Sequence, residues 1–346
     1  MNQLRPLTKK RLATIADVAK AAGVSPATAS FVLNDTPGQT ISPGTRKRIM
    51  KAVRALGYKP NASARALARG HTNEIAAFNF GALYLAGLLD WISAIQARTI
   101  ELGYTSGIYL YQGTSRRAIR NIIESVLERR PVGLVAEAPY FTQADLARAK
   151  DMGVRGCVVI GVEPSDSRAV FTGLFKEAGR LVGDHLVERG HQRVAFVKPV
   201  SPTPTQRAAW SQCIKGLGHS VGRDHVSLAE LPMDTGLESA RAAVDRLLTL
   251  PEWPTAILGF TDEYCLPLLK ALLERGIRVP DQVAIVGVAG TYLSSLVHPA
   301  LTSVHLDLKT VASKFVDIAD ALIRNQEPAP ELFVPPPPQL IIRESS

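Results

Sequence analysis

Three helix-start signals follow one another near the N-terminus, and their spacing limits this part of the chain to short helices joined by tight turns. Thr14 stands three residues before Asp17, which is the spacing of a capping box. The Ser25–Pro26 and Ser42–Pro43 pairs each place a capping hydroxyl ahead of a proline at the first helical position. Gly23 provides a left-handed turn between the first two stretches. The sequence therefore predicts three short helices.

The apolar residues of the three predicted helices recur at the spacing of one helix face, which predicts the side that each helix buries. The residues expected in this small core are Ile15, Val18, Ala19 and Ala22 of the first helix, Val32 and Leu33 of the second, and Ile49, Val53 and Leu56 of the third. The third helix also carries five basic residues that we expect to be exposed, namely Arg46, Lys47, Arg48, Lys51 and Arg54. A bundle with a strongly basic surface follows from this pattern.

The positive charge of the chain is concentrated in its first fifth. The whole chain has a formal net charge of +9, whereas residues 1–70 contain 13 Lys or Arg and two acidic residues, a net charge of +11, which leaves −2 for the remainder. An asymmetry of this size indicates a polyanionic partner. Two short helices joined by a Gly-containing turn describe a helix-turn-helix, in which Ser25 to Leu33 is the recognition helix. A three-helix protein-binding module is the alternative interpretation.

The segments TIADVAKAAGVSPATASFVLN and ISPGTRKRIMKAVRALGYKPNASARALA resemble the DNA-binding headpiece of the lactose/galactose-repressor family of bacterial transcription regulators. The resemblance runs almost without a break from Ala13 to Ala68. It includes Asp-Val-Ala in the first helix, Val-Ser before the second and Tyr-x-Pro-Asn before a fourth short helix. It implies a sequence-specific regulator, a repressor, that binds a pseudo-palindromic operator as a homodimer with an affinity modulated by a small-molecule effector.

Residues 61–70 resemble the hinge helix of this family, a segment that is disordered off DNA and folds on the operator. Asn61 can cap this helix and Gly70 can end it, but a helix of about nine residues is marginal in water by itself. Two hinge helices packed against each other in the minor groove would stabilise one another. The resemblance makes Arg65 a DNA-binding residue and Leu67 the apolar wedge that kinks the central base step. The alternative is that Leu67 packs on the headpiece.

The resemblance also implies roles for residues of the first two helices. The base-reading positions hold Pro26, Ala27 and Phe31, which lack side-chain hydrogen-bonding groups, so apolar contacts, for example with thymine methyl groups, would replace hydrogen bonds. Positions that mainly hold DNA phosphates in the family are Thr14, Ser25, Thr28, Ser30 and Asn34. We therefore expect the hinge and the deformability of the DNA to supply a good share of the specificity.

From residue 74 onward, apolar runs alternate with amphipathic stretches, which is the pattern of repeated β-α units. The predicted strands are EIAAFNF, YTSGIYLY, VGLVAEA and RGCVVIG, with helices at 115–130 and 142–151, followed by QRVAFVKP, AILGF and VAIVGVA. Two such series predict two Rossmann-like lobes with a ligand cleft between them. Together with the resemblance, this predicts an all-α helix-turn-helix headpiece plus hinge helix, followed by an α/β periplasmic-binding-protein-like effector domain.

The predicted domain boundaries follow from these patterns. They comprise a basic tail at 1–12, the headpiece at 13–60, the hinge helix at 61–70 and an effector-binding and dimerisation domain at 71–346. Within the last domain we expect one lobe at about 74–167 and 291–327, and the other at about 168–290 and 328–346. The composition break at 162–167, VEPSDS, marks the first expected crossing between them.

The predicted cleft departs from the family pattern at most of its ligand-contacting positions. Leu85-Ala86-Gly87 replaces Asn-Pro-Phe, Thr172 replaces Asp, Thr261–Asp262 replaces Asn-Asp, Gly287-Val288-Ala289-Gly290 replaces Gly-Phe-Asp-Asp, and Trp210 replaces Gly, whereas Arg207 matches. The candidate effector-binding residues are Leu85, Thr172, Arg207, Trp210, Thr261, Asp262 and Ala289. Because each buried sugar hydroxyl needs a polar partner, we expect either a more apolar effector, anionic and held by Arg207, or a cleft without a ligand. Core packing of Thr172, Trp210 and Ala289 is the alternative.

Other classes of protein find little support. The chain lacks the G-x-S-x-G, H-E-x-x-H, G-x-x-x-x-G-K and G-x-G-x-x-G motifs, so we expect no enzyme. Its three cysteines are far apart and predict neither a disulfide framework nor a zinc site, and we expect no cofactor. Without an apolar run of about 18 residues or a secretory signal, we expect a bacterial cytoplasmic, nucleoid-associated protein with no membrane partner. A ligand-independent architectural DNA-binding protein with a degenerate cleft is the alternative function.

Overall fold

The chain divides into two units between Thr72 and Asn73. The computed structural model describes residues 13–34, 38–59, 61–81, 85–111, 113, 115–138, 140–161, 173–221 and 227–346. The predicted basic tail at 1–12 and the expected crossing at 162–167 lie outside the described residues. Among the described residues, none of the helices has the length and hydrophobicity that a membrane-spanning segment requires.

The described part of the N-terminal unit contains four helices, and each of the three predicted helix starts is confirmed. The helices are α1 (Ile15–Ala22), α2 (Pro26–Leu33), α3 (Pro43–Leu56) and α4 (Ala62–Arg69). The hydroxyl groups of Thr14, Ser25 and Ser42 each accept a hydrogen bond from a backbone N–H in the first turn of α1, α2 and α3. Asp17 completes the capping box of α1 by accepting from the Thr14 N–H at 2.8 Å. These local hydrogen bonds fix where each helix begins.

The core of the N-terminal unit is small and corrects one expectation. Its buried members are Val18, Ala22, Val32, Ile49 and Ala52, with Val24, Leu33, Ile41, Val53 and Tyr58 packed against them. The prediction that Leu56 is buried is wrong, because its side chain is 41% exposed. Helix α1 has eight residues and α3 has fourteen, so α1 is about 12 Å long against about 21 Å for α3. Helix α1 is therefore too short to cover all of α3.

The first lobe of the C-terminal unit is a parallel four-stranded sheet with helices on its faces. Its strands are β1 (Glu74–Asn79), β2 (Thr105–Leu110), β3 (Gly133–Glu137) and β4 (Gly156–Ile160), in the order β2-β1-β3-β4. Its first three helices are α5 (Leu85–Glu101), α6 (Arg116–Glu128) and α7 (Gln143–Asp151). Strand β3 is buried along its whole length, as expected for a central parallel strand that helices cover on both faces.

The second lobe contains a six-stranded sheet. Its strands are β5 (Arg193–Pro199), β6 (Ser227–Met233), β7 (Ala256–Leu258), β8 (Ala284–Ala289), β9 (Thr302–His305) and β10 (Gln339–Ile341), in the order β10-β9-β8-β7-β5-β6. All neighbouring strands are parallel except the β10–β9 pair. Its helices are α8 (Leu174–Glu188), α9 (Pro204–Val221), α10 (Leu237–Leu248) and α11 (Asp262–Glu274), with a 3₁₀ helix at Tyr292–Ser295. The two predicted lobes are thus present.

The assignment of residues 291–305 to the first lobe is wrong. Strand β9 pairs with β8 of the second sheet, with Thr302 opposite Val286, and the backbone N–H of Thr291 donates to the buried Asp262 carboxylate at 2.7 Å. Helix α12 (Leu308–Ile323) instead packs on α5, β3 and β4 of the first lobe. The chain therefore crosses between the lobes just before α12 and not near residue 291.

The last crossing also differs from the expected position near residue 328. A 3₁₀ helix at Pro330–Phe333 follows α12, and the Lys314 ammonium group of α12 donates to the carbonyl oxygens of Glu331 and Val334 at 2.9 and 2.6 Å. Residues up to Val334 therefore remain on the first lobe, whereas β10 belongs to the second sheet. The four prolines at 335–338 form the crossing, where their restricted φ angles favour a stiff, extended backbone.

Candidate nucleic-acid interface and effector cleft

Helix α2 buries one side and leaves its first turn open to solvent. Ala29 and Val32 face the core, whereas Ser25, Pro26 and Ala27 are exposed. The remaining candidate DNA-binding residues of this region are half-buried, namely Thr28, Ser30, Phe31 and Asn34. An exposed N-terminal turn on a short, capped helix is the geometry by which a recognition helix approaches base edges in the major groove.

The hydroxyl groups near this turn already take part in local hydrogen bonds. The Thr14 hydroxyl donates to the Asp17 carboxylate at 2.8 Å, and the Asn34 amide donates to the Ser30 hydroxyl at 3.0 Å. The Ser25 and Thr28 hydroxyl groups lie 2.9 Å apart. Because one hydroxyl hydrogen is enough for the bond between Ser25 and Thr28, the O–H of the other residue can donate to a phosphate oxygen. This pair is therefore the better placed for phosphate contact.

The basic residues of α3 add a positive surface to this unit. Arg46, Lys47, Arg48, Lys51 and Arg54 are all exposed, as the sequence predicts. The Arg48 guanidinium group also donates to the Ala22 carbonyl oxygen at 3.3 Å, at the C-terminal end of α1. It thus satisfies one of the carbonyl groups that a helix end leaves unpaired while remaining on the surface. The surface suits a polyanion and carries no base specificity.

Helix α4 has an apolar residue that nothing in its own unit buries. Leu67 is 86% exposed, and Ala64, Arg65 and Arg69 are exposed as well. The Asn61 side chain accepts from the Ala64 N–H at 3.4 Å, which is a long capping bond, and Gly70 ends the helix with a φ of 78°. A helix this short has little intrinsic stability, so its exposed leucine is available for an external partner.

The predicted effector-binding residues of the second lobe lie at the carboxyl ends of its strands, but they differ in what they can offer. Arg207 is exposed on the first turns of α9, and no described residue forms a hydrogen bond or an ion pair with its guanidinium group. Trp210 is half-buried, and its indole N–H donates to the Val197 carbonyl oxygen at 3.0 Å. The centroids of the Trp210 and Phe196 rings are 5.3 Å apart. Arg207 is therefore open to a ligand, whereas the polar group of Trp210 is already used.

Thr261 is the N-cap of α11 and Asp262 is its first residue, and their side chains differ in hydrogen bonding. The Thr261 hydroxyl oxygen is buried and lacks a hydrogen-bond partner among the described residues. Asp262 is fully buried and accepts from the Ser303 hydroxyl, the Ser294 hydroxyl and the Thr291 N–H at 2.6, 2.6 and 2.7 Å. Burial raises the pKa of this carboxyl group, and the hydrogen bonds oppose the shift. The Asp262 carboxylate thus joins elements within the second lobe, whereas the buried Thr261 hydroxyl has no partner among the described residues.

Three further predicted positions complete the set. Ala289 ends β8 with a φ of 114°, a left-handed backbone angle that is rare for a residue with a side chain. Leu85 is the first residue of α5, and its side chain lies outside the described part of the structure. Thr172 lies outside the described residues altogether. The role of these positions in ligand binding stays a prediction.

A polar cluster that the sequence did not predict joins the two lobes. Glu137 ends β3 and is 2% exposed, and Thr205 and Gln206 of α9 are also buried. The Thr205 hydroxyl donates to the Glu137 carboxylate at 3.1 Å. The one available signal was an acidic residue at the end of an otherwise apolar strand, VGLVAEA, which is unusual for a position buried on both faces.

Comparison with known proteins places these features among DNA-binding regulators. Residues 14–61 match the model of bacterial regulatory proteins of the lacI family, and residues 183–346 match that of the periplasmic binding protein-like domain. The chain is 29% identical to catabolite control protein A of Priestia megaterium over 84% of this chain and 86% of that protein. It is 28% identical to the HTH-type transcriptional repressor PurR of Vibrio atlanticus (strain LGP32) over 93% of this chain and 95% of that repressor.

Solved structures show the same architecture. The lac repressor dimer bound to operator and the anti-inducer ONPF superimposes with a TM-score of 0.79 at 25% identity, covering 97% of this chain and 99% of that one. The CelR–cellobiose complex superimposes with a TM-score of 0.65 at 20% identity, covering 96% of this chain and 100% of that one, and this likeness concerns the fold alone.

Proposed function

The chain belongs to the lacI family of bacterial regulatory proteins, a non-enzymatic family, and from this premise we propose how it recognises DNA and ligand. Within this family it is a DNA-binding transcriptional repressor with a periplasmic-binding-protein-like effector domain. We propose that it binds a pseudo-palindromic operator as a homodimer, each headpiece at one half-site and the paired hinge helices at the centre. The observation that carries this proposal is Leu67, an 86% exposed leucine on a helix that is too short to be stable without a partner.

Leu67 is the proposed wedge at the centre of the operator. An apolar side chain inserted between base steps kinks the duplex, which costs a few kcal/mol of unstacking and brings more protein into contact with DNA. Arg65 and Asn61 belong to the same proposed interface, because both lie exposed on or next to α4. The wedge makes specificity depend on how readily the central step deforms.

Recognition of the half-sites is proposed to combine apolar base contacts with phosphate contacts. Pro26 and Ala27 are exposed at the first turn of α2, and Phe31 lies half-buried on the same helix. Since none of the three has a side-chain hydrogen-bonding group, they can favour thymine through its methyl group but cannot make bidentate hydrogen bonds to guanine or adenine. The proposed phosphate contacts are made by Thr14, Ser25, Thr28, Ser30 and Asn34, and they set the position of the headpiece on the duplex.

The effector is proposed to be a small molecule that is more apolar than a typical sugar and carries a negative charge. Arg207 supports the anionic group, because it is the exposed basic residue on the first turns of α9 without a partner among the described residues. The commitment of Asp262 and of the Trp210 indole to internal hydrogen bonds supports a less polar ligand. Leu85, Thr172, Thr261 and Ala289 complete the proposed lining.

The homodimer and its location complete the proposal. Tyr292 and Leu296 are each 71% exposed at the 3₁₀ helix of the second lobe, and Leu89 and Ile100 are exposed on α5 of the first. Exposed apolar residues on both lobes suit a second copy of the chain. We place the protein in the bacterial cytoplasm at the nucleoid, since its proposed ligand is chromosomal DNA.

Selection of bound sites from a random DNA pool by the full-length protein tests this function. We expect enrichment of a two-fold symmetric site with a deformable central step, such as a pyrimidine–purine step. Enrichment of no defined sequence, together with salt-sensitive binding, would favour the alternative of an architectural DNA-binding protein whose cleft has no ligand. The enriched duplex is then the probe for effectors, because coupling between the two sites requires a ligand to change its affinity.

A further inference from the structure

Three side chains at the start of α9, one from Thr203 just before the helix and two from its first turn, reach across to the first lobe. The Thr203 hydroxyl and the Gln206 amide both donate to the Gly81 carbonyl oxygen, at 3.3 and 2.5 Å. The Thr205 hydroxyl donates to the Glu137 carboxylate at 3.1 Å. Gly81 follows β1 and Glu137 ends β3, so these bonds join the carboxyl edge of the first sheet to α9 of the second lobe.

Burial gives these bonds their weight. Glu137, Thr205 and Gln206 are 2%, 7% and 5% exposed. A buried polar group that loses its partner costs far more than an exposed one, because water cannot replace the lost hydrogen bond. Separation of the lobes must therefore either hydrate all of these groups or leave some of them unpaired.

Both sides of this contact are fixed in advance by bonds within their own lobe. On the second lobe, the Gln206 side chain accepts from the Thr203 N–H at 3.0 Å and the Thr203 hydroxyl accepts from the Gln206 N–H at 3.2 Å, a reciprocal cap. On the first lobe, the Glu137 carboxylate accepts from the Phe80 N–H at 2.7 Å. Donors and acceptors that are already oriented lose little conformational entropy when the lobes meet.

We propose that Gly81 and Glu137 of the first lobe, with Thr203 just before α9 and Thr205 and Gln206 of α9, form an interlobe latch that holds the effector cleft closed without a small molecule. Glu137 is its positioning residue, because its two carboxylate oxygens connect the end of β1 to α9. An effector then acts on a domain whose resting state is closed. This inference rests on the proposed function only for that consequence, since the latch itself concerns the C-terminal unit alone.

The surroundings of Glu137 make the latch sensitive to protons. The residues around the Glu137 carboxyl group are neutral: Asn79 and Phe80 at the end of β1, and Thr205 and Gln206 of α9. The described titratable group nearest to Glu137 in the chain is Tyr140, whose hydroxyl donates to the Phe80 carbonyl oxygen at 3.3 Å. Burial raises the pKa of Glu137 to about 7, against the opposing effect of its two hydrogen bonds. Burial also raises the pKa of Tyr140, and Glu137 adds to that shift, while a hydrogen bond with the Thr203 side chain and the charge of Arg116 oppose it.

The sign of the proton effect follows from this shift. Closed lobes hold Glu137 with a pKa of about 7, whereas in separated lobes a hydrated carboxyl has a pKa near its ordinary value of about 4.5. The closed form therefore binds more protons, and closure strengthens as the pH falls through 7. The ratio of closed to open molecules should rise about tenfold from pH 8 to pH 6.

Distance measurement between spin labels on the two lobes tests the latch. The full-length protein, dialysed free of small molecules, carries Cys157→Ala with labels at Lys150→Cys of α7 and Glu238→Cys of α10, both exposed sites. After subunit exchange with excess unlabelled protein, most dimers that carry labels contain one labelled subunit. We expect one narrow distance distribution at pH 6, and a second, open population that grows as the pH rises to 8.

Four variants distinguish a latch from a general structural role. Glu137→Ala and Thr205→Val should each increase the open population at least tenfold. Glu137→Gln should keep the lobes closed and abolish the pH dependence, because the amide oxygen can accept from the Phe80 N–H and the amide N–H can donate to the Thr205 hydroxyl oxygen, without a charge. Ser294→Ala is the matched control, since it removes a buried hydroxyl–carboxylate bond within the second lobe and should leave the distance unchanged.

Wild-type distances in Glu137→Ala and Thr205→Val would overturn the proposal, and so would an open population in Glu137→Gln equal to that in Glu137→Ala. Thr205→Val carries the test if Glu137→Ala does not fold. The measurement uses no DNA, so its failure is distinct from a failure to select operator sites.

Discussion

The hinge helix α4 and the first turn of α9 are both short helical segments with polar caps, but they treat their binding groups in opposite ways. Helix α4 leaves Leu67 and Arg65 in solvent. The first turn of α9 buries Thr205 and Gln206 against the other lobe and pairs their polar atoms. We therefore propose that the first segment acts on a partner outside the chain, whereas the second already has its partner within it.

This difference matters for how a ligand signal could reach DNA. A segment that is ordered by an external partner binds only when that partner presents the right geometry, which makes it a sensor of operator spacing. A segment paired within the chain sets the default state of its domain, which the effector must then change. The two regions together would give a regulator with a fixed resting cleft and a conditional DNA contact.

The largest expected effect tests whether buried polar contacts determine the stability of the C-terminal unit. Asp262→Ala leaves the Ser294 and Ser303 hydroxyl groups and the Thr291 N–H without their shared acceptor. We expect a loss of about 3 kcal/mol in the free energy of unfolding, measured by urea denaturation. Asp281→Ala is the control, because that carboxylate is exposed and pairs on the surface with Arg278. Equal stability of the two variants would contradict the role of the Asp262 cluster.

The next effect tests the other half of the comparison, in the N-terminal unit. Leu67→Ala should weaken operator binding by about 2 kcal/mol, roughly 30-fold, and reduce the bend angle, because a full leucine is needed to open the base step. Leu56→Ala is the matched control, since Leu56 is the other exposed leucine described in this unit and lies on α3. Fluorescence anisotropy with the selected duplex measures affinity. An unchanged affinity and bend angle in Leu67→Ala would remove Leu67 from the mechanism.

A smaller expected effect tests whether protonation of Glu137 stabilises the latch. The pKa of Glu137 is raised to about 7 in the folded protein, so its contribution to stability is fully present below an ordinary carboxyl pKa of about 4.5 and is lost as the pH rises through 7. The wild type should lose about 1 kcal/mol more than Glu137→Gln between pH 6 and pH 8. Thermal unfolding at several pH values measures this difference. Parallel pH profiles for the two proteins would refute the shift.

The smallest expected effect concerns the proline crossing between the lobes at 335–338. Replacing Pro336 by Ala adds freedom mainly to the unfolded chain and should cost less than about 1 kcal/mol of stability. It should also broaden the distance distribution between the lobes without adding an open population, because the latch contacts are unchanged. Pro328→Ala, before the second 3₁₀ helix, is the control for a proline outside the crossing. An open population as large as that of Thr205→Val would show that the crossing, and not the latch, holds the cleft.

The sequence predicted the architecture of the headpiece and most strands of the lobes, but not β6 or β9. Strand β6 contains Pro232, which cannot donate to a sheet, and the structure places this strand at the edge where the missing N–H is tolerated. Strand β9 belongs to the second lobe through its pairing with β8, whereas a boundary drawn from the sequence near residue 291 places it in the first. Pairing between strands is invisible to local patterns when the connection is long.

The candidate sites likewise include some features that local sequence patterns predict and others that depend on tertiary contacts. The exposure of Pro26, Ala27 and Leu67 could be expected from helix periodicity and capping, because those signals act within one or two turns. The sequence could not predict the hydrogen bond between the Trp210 indole and Val197 or the burial of Asp262, since each depends on which strand ends next to which helix. The same holds for Glu137, whose partner Thr205 stands 68 positions away.

The sequence by itself determined the three capped helices, the short hinge helix and the alternation of strands and helices, because their causes are hydrogen bonds and apolar contacts between residues close in the chain. Only the tertiary structure decided where the lobes exchange segments, which cleft groups remain available and which are consumed by one another. Those outcomes depend on the burial of polar groups, and a polar group is satisfied or left unpaired only when distant segments meet.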